Sequence, residues 1–385
     1  MKVEQIYSII NSITSEALGE SAVLAEDLSN IVDIGTALFD NMSVDNYVRK
    51  LTDHIGRVIF VDRVYRGAVP SVLRDAWEYG AVCEKITVDL PEAEENESWN
   101  LQDRASYDPN IFYQPSVSVK FYNKRVTFEI PYSFTEMQVR GSFSNGTQMN
   151  AFLSMLRNAI EKSMTVKTDE LIMRGINSMI ADTIYDDYAG AALSSKSGVK
   201  AVNLLYLYNT NVAASPITAD DALTDPAFLK YAAYMMGMYQ TRMSRLSTLF
   251  NIGGKDRFTP SELLHFVLLA DFAKAADVYL QSDTFHDEFT RLPNAETVPY
   301  WQGSGTAFDF DDVSAIDVTS AGGHAVSADG ILGVMFDRDA VGVANLSQRT
   351  TTNYNPKGEF WSNWAKFETG IFEDENENFV VFFAA

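Results

Sequence analysis

Cysteine occurs once, at Cys83, and histidine four times, at His54, His265, His286 and His324. One thiol cannot build an intrachain disulfide framework, and it fits folding in a reducing compartment. The histidines are far apart in sequence and none lies in a His-Glu-x-x-His or His-x-His pattern, which speaks against a histidine-built metal or acid–base centre. No run approaches the roughly 20 apolar residues that a bilayer span needs. The opening stretch MKVEQIYSIINSITSEA has no basic segment followed by an apolar one and does not read as a secretory signal. Positive charge is scarce as well. The chain has 30 Lys and Arg against 52 Asp and Glu, a net charge of −22. A protein that grips nucleic acid through its phosphates needs clustered cations, so that class is excluded.

The usual chemical motifs are missing too. Gly253-Gly254-Lys255 lacks the spacing and preceding strand of a phosphate-binding loop, and Gly303-Ser304-Gly305 is too short for a dinucleotide fingerprint. There is no Gly-x-Ser-x-Gly nucleophile elbow. His286-Asp287-Glu288 reads as a solvated helix end. FDFDD (308–312) is acidic but lacks the glycine and terminal glutamate of a calcium loop. Carboxylates are abundant at this charge, and no pair is singled out as a glycosidase pair. No catalytic, cofactor-binding or metal-binding residue is assigned, and no enzyme activity is expected.

What remains is a chain of 385 residues, 46% hydrophobic and 12% aromatic, ample for a folded core. Ile6, Ile9, Ile10 and Ile13, then Tyr47, Leu51 and Ile55, fall at helical spacing, broken by Gly19 and Gly35, which predicts an arm of short helices. Residues 57–67 read as a strand, and 71–91 as a short helix followed by a strand. PEAEENESWNLQDRASYD (91–108) has neither period and reads as an acidic loop tip. In SVSVKFYNKRVTFEIP (116–131) apolar residues alternate on either side of Tyr122-Asn123-Lys124-Arg125, which predicts a β-hairpin ended by Pro131. Residues 111–142 carry four basic and two acidic side chains. A basic hairpin beside an acidic tip suits head-to-tail pairing between copies.

A single apolar stripe from Met149 through Leu156, Ile160, Met164 and Ile172 to Ile180 predicts one helix over about 147–186, with Thr147 as its N-cap. At 1.5 Å per residue it would be roughly 57 Å long, a spine against which a sheet packs. Residues 187–224 are turn-rich and read as a crossover between domains. Asp225-Pro226 opens a helix over 227–250. Strands are expected at 263–270, 297–301, 331–337 and 340–346 and a helix at 271–280, a compact α/β domain over 225–346. The tail NYNPKGEFWSNWAKFETGIFEDENENFVVFF (353–383) is aromatic and strand-rich, with Trp361, Trp364 and Phe367 expected to pack under the spine.

This order of parts resembles the major capsid protein of tailed bacteriophages, the Johnson or Hong Kong ninety-seven fold that encapsulin shells share. The residues that carry it are 116–139, LLHFVLLADFAKAADVYL (263–280) and 331–383. The last stretch is most similar to head proteins of small short-tailed phages, with an Asn-Pro-x-Gly-x-x-Trp-Asn-like element at 355–364. The resemblance implies an α+β fold. Its parts would be an N-terminal arm (1–55), a first peripheral segment (56–83), an extended loop (84–131), a peripheral domain with the spine (132–189), an axial domain (190–345) and return strands to the periphery (346–385).

By function the resemblance implies a self-assembling icosahedral head shell of pentamers and hexamers around packaged double-stranded DNA. A separate scaffolding protein and a portal are the expected partners, with no membrane, and assembly would occur in the bacterial host cytoplasm before the subunit resides in the virion. No lysine–asparagine crosslink residues can be matched. Lys120, Tyr122, Lys124 and Arg125 are the candidate intersubunit contacts, and charge reversal of Lys124 and Arg125 is expected to block assembly of a folded chain. The competing readings are an encapsulin-type nanocompartment, which a cargo-binding groove would distinguish, and an acidic α/β hydrolase, which the missing nucleophile motif opposes.

Overall fold

The computed structural model describes residues 7, 10–15, 30–41, 43–52, 69–74, 83–88, 95, 103–104, 110–112, 114, 116–281, 295–302 and 309–385. The strand expected at 57–67, most of the acidic tip, His54, His286 and Gly303-Ser304-Gly305 lie outside these residues. In chain order the main elements begin with α1 (Ile31–Asn41), β1 (Leu73–Arg74), β2 (Cys83–Val88), β3 (Val117–Tyr122), β4 (Arg125–Thr135), α2 (Glu136–Ser142) and α3 (Gly146–Tyr188). They continue with β5 (Ala201–Asn203), α4 (Leu204–Asn211), α5 (Pro226–Met243), β6 (Leu264–Leu269), α6 (Ala270–Gln281), β7 (Glu296–Val298), β8 (Ile316–Thr319) and β9 (Ala325–Ala328). The last four strands are β10 (Ile331–Asp337), β11 (Val341–Asn355), β12 (Phe360–Glu373) and β13 (Phe379–Phe383). The fold is α+β, in two compact units: residues 1–76, 124–172 and 343–371 form one, and 77–123, 173–342 and 372–385 the other.

The first unit is a sheet of order β1-β11-β12-β4 against the first part of α3. Alternation along β4 turns Val126, Phe128, Ile130, Tyr132 and Phe134 to one face and Arg125, Thr127, Glu129, Pro131 and Ser133 to the other. β12 pairs antiparallel with β4 from Phe360↔Thr135 to Gly370↔Arg125, so Trp361, Ala365 and Phe367 join that inner face. Met149, Phe152, Leu153, Leu156, Ile160 and Met164 of α3 close over them in one buried cluster with Ile31, Leu38, Tyr47 and Leu51 of the N-terminal segment. Phe134 meets Phe152 edge to face at 5.5 Å. Trp361 and Phe367 pack under the spine as expected, but Trp364 lies on the opposite face, opposite Pro131, because it falls on the other parity of β12.

The spine is 43 residues long. Its cap differs from expectation. Asn145 Oδ1 accepts the amide of Gln148 at 2.8 Å, so Asn145 caps the helix and Thr147 lies inside it.

The second unit is built on a sheet of order β5-β13-β10-β6-β7. All seven residues of β10 and all five of β13 are buried, as strands covered on both faces must be. Phe382 packs on Tyr239 of α5 at 5.4 Å, while its neighbour Phe383 packs on Tyr188 of α3 at 5.8 Å. Helices therefore cover the two faces. Gly330 (φ +71°) lets the chain pass where a Cβ would lie 2.1 Å from the Ala384 carbonyl oxygen, so a side chain is excluded there.

Three readings are corrected by the pairing. The hairpin expected over 116–131 does not form: β3 pairs antiparallel with β2, whereas β4 belongs to the other unit and pairs with β12. The alternation on each side of residues 122–125 is real, but each strand satisfies it against a distant partner. The helix after Pro226 stops at Met243 instead of continuing to 250, where the Ser247↔Arg257 bridge and the bond from Thr259 N to Met243 O draw the chain away. The stretch 187–224 contains β5, which pairs in parallel with β13 inside the sheet of the second unit, and the last strand of the tail pairs there as well.

Truncating Phe134 to Ala should cost about 3–5 kcal/mol by emptying the densest part of the first core. Met137→Ala, at a site 84% exposed, should stay within about 0.5 kcal/mol. Urea unfolding of the two variants measures the difference.

Candidate functional site

The strand pair β2–β3 is a two-stranded ribbon whose polarity is inverted. Its register places Val88 opposite Val117, Ile86 opposite Val119, and Glu84 opposite Phe121. Directly opposite residues share a face, and this one is open: Ile86 is 62% exposed and Phe121 61%, with Val88, Val117 and Val119 near half. The other face carries Lys85, Thr87, Ser118 and Lys120, all partly covered. Thr87 and Ser118 share a hydroxyl hydrogen bond of 2.7 Å there. At the ribbon end Val88 lines a mixed pocket with Leu246 and Phe258 and the charged Lys255, Asp256 and Arg257.

The polar face is held by charge. Lys85 and Lys120 stand directly opposite each other, an arrangement that is unfavourable alone. Both reach Asp374: Lys85 Nζ lies 2.7 Å from Oδ2 and Lys120 Nζ 3.1 Å from Oδ1. Lys85 also lies 2.6 Å from Glu377 Oε1, which accepts Arg257 Nε at 3.0 Å. Asp374 and Glu377 sit in the turn between β12 and β13, and both are buried.

Burial alone would raise the pKa of the Asp374 carboxyl, but the bond from Lys85, with Lys120 beside it, outweighs burial and holds it below the ordinary carboxylate range. For Lys85, burial is outweighed by the bonds to Asp374 and Glu377, and its pKa is raised. Tyr122, at the end of β3, is buried with its ring 5.6 Å from Phe372.

The four candidate contact residues therefore separate. Lys120 and Tyr122 belong to the ribbon and face their own chain. Lys124 and Arg125 belong to the other unit. Arg125 Nη1 lies 2.8 Å from Glu368 Oε1, and this bond keeps the Glu368 carboxyl below its usual range. Lys124 is exposed, and its backbone carbonyl accepts the amide of Ile371 at 3.1 Å. Sequence reading missed Asp374 and Glu377, which lie in an acidic turn (373–377) with the look of a solvated run.

No other described group has the makings of a chemical centre. His265 packs beside Phe336 and His324 stacks on Tyr185 at 3.7 Å. Among the described residues no cluster of His, Cys, Asp and Glu could hold a metal ion, and no helix is long and apolar enough to cross a membrane.

Residues 10–383 match the family described as Phi29-like phage major capsid protein. The chain belongs to that family. It is 23% identical over 373 residues to the major capsid protein of Bacillus phage B103, covering 94% of this chain and 69% of the relative. Among solved structures, the capsid of Staphylococcus phage Andhra aligns with a TM-score of 0.46 and 12% identity over 84% of this chain and 85% of that one. As a member of the family the chain is a major capsid protein of a tailed phage and forms the head shell. Nothing in these matches favours the encapsulin or hydrolase readings.

The depressed Asp374 pKa fixes the sign of an acid effect. A carboxyl that is more acidic folded than unfolded adds stability above the unfolded pKa and loses it as pH falls through the folded value. The gap in urea midpoint between the wild-type chain and Asp374→Asn should be constant near neutrality and close as pH falls below about 4.

Proposed function

We propose that the capsid subunit joins its neighbours by laying the apolar face of the β2–β3 ribbon on the next copy. The observation that carries this reading is the inverted ribbon: Ile86, Val88, Val117, Val119 and Phe121 are open to solvent while the lysines behind them are held by their own chain. An exposed apolar surface of this kind marks an interaction site. Burying the exposed half of these five side chains would contribute roughly 1 kcal/mol each. Heterologous contacts that close into rings of five and six give a shell and not a filament.

In this reading Lys120 and Tyr122 support the interface from behind, and Lys124 and Arg125 of the first unit are further contacts to acidic groups of neighbouring copies. The subunit assembles in the host cytoplasm with a separate scaffolding protein and a portal. The shell encloses double-stranded DNA without sequence-specific binding, and the net charge of −22 favours a wall to which DNA does not adhere. The subunit's role is structural, with no catalysis.

The test is negative-stain microscopy with light scattering, comparing the wild-type chain with the Ile86→Ser/Val119→Ser/Phe121→Ser variant under the same assembly conditions. A folded, unassembled variant beside wild-type shells supports the reading. Normal shells from the variant overturn it.

A further inference from the structure

The turn that receives the ribbon lysines is also held by bonds that do not involve them. Asp374 donates its backbone amide to Ala340 O at 2.8 Å, and its Oδ1 accepts the amide of Asn376 at 3.2 Å. Glu377 donates its amide to Asp374 O at 3.2 Å. Behind the turn, Asn378 Nδ2 donates to Thr259 Oγ1 at 3.1 Å, and Thr259 Oγ1 donates to Asp337 Oδ2 at 2.8 Å. Arg257 Nε also holds Glu377, at the same Oε1 that Lys85 reaches. Buried, hydrogen-bonded carboxylates of this kind are rigid acceptors. The ribbon, by contrast, has two strands among the described residues, which is marginal as a free-standing structure.

We infer that Asp374 and Glu377 are positioning residues for shell assembly. They clasp Lys85 and Lys120, hold the ribbon by its polar face, and so set the direction in which its apolar face meets the next copy. This rests on the docking reading above, but the clasp can be tested without it.

Three observations converge on the clasp. The two lysines sit at one register position on opposite strands, so one carboxylate ties both strands together and cancels their repulsion. Glu377 takes the second bond of Lys85, so β2 is held twice. Tyr122 packs on Phe372, two residues before Asp374, which places an apolar pivot beside the ionic contact. With the charges removed, Tyr122 against Phe372 would still hold one end of the ribbon and Val88 beside Leu246 and Phe258 the other, while the clasp between them would be lost.

The experiment is hydrogen–deuterium exchange on the unassembled full-length chain, followed by assembly of the same samples. In Asp374→Asn, amides of 83–88 and 117–122 should exchange at least tenfold faster, with 331–337 and 379–383 unchanged, and assembly should slow by a similar factor. Lys85→Met and Lys120→Met should reproduce this from the ribbon side, and they decide the matter should Asp374→Asn disturb its own turn. Lys85→Arg, which keeps the charge, should restore both readings.

Unchanged ribbon exchange in all three deletion variants overturns the clasp. Faster ribbon exchange with normal assembly overturns its positioning role. The Ile86→Ser/Val119→Ser/Phe121→Ser variant separates the two ideas, since it should leave Lys85 and Lys120 clasped with slow exchange while assembly fails.

Discussion

A two-stranded ribbon has two faces, and among the described residues the β2–β3 pair has ionic cover on one while the other stands largely exposed. The choice of which face to cover decides what the molecule can do. Ordinary folding logic would turn Ile86, Val119 and Phe121 inward and leave lysines in water. Here the lysines are turned in, toward carboxylates already buried in a turn, and the apolar side is left open. That arrangement is costly for a lone chain, because open apolar surface gains nothing and buried ion pairs recover their desolvation only with good geometry. It becomes favourable once a second copy covers the open side. In the proposed docking, the next copy supplies the cover that the monomer lacks.

The rest of the second unit supplies the geometry that ionic contact requires. The turn bearing Asp374 and Glu377 joins β12 to β13, and β13 is an interior strand of the five-stranded sheet, flanked by β10 and β5. Five consecutive buried residues, Phe379 to Phe383, anchor the end of that turn. Asn251, Asn378, Thr259 and Asp337 fill its polar interior with hydrogen bonds to one another and to backbone. A surface ion pair between mobile side chains is worth little. The same groups held on a packed strand end become a fixed mount.

The parts legible in sequence were those whose pattern is local. The apolar stripe from Met149 to Ile180 marked the spine to within two residues, and the run ILGVMFD marked β10 with its observed bounds. Pairing was not legible. Residues 117–121 and 126–130 alternate equally well, and the polar residues between them look like a hairpin turn, yet β3 pairs with a strand some 35 residues earlier and β4 with one more than 220 residues later. Alternation tells that a strand has two unlike faces. It does not tell which strand lies beside it, nor which face turns inward. β5 is three residues long, too short to stand out from a turn-rich stretch.

The charged residues show the same limit from the other side. Lys120 and Arg125 were picked out as cations in a chain of strong negative charge, and both are indeed engaged, but by Asp374 and Glu368 of their own chain. Their partners lie in acidic stretches that composition alone assigns to solvent. A carboxylate at net charge −22 is surrounded by others like it, so only burial distinguishes the one that holds a structure together. Asp374 is 1% exposed and Lys124 is open. The proposed contact surface is marked by neither charge nor motif but by valines, an isoleucine and a phenylalanine on the wrong side of a ribbon. That feature exists only once the register and the clasp are known, because the same residues on the inward face would be an unremarked piece of core.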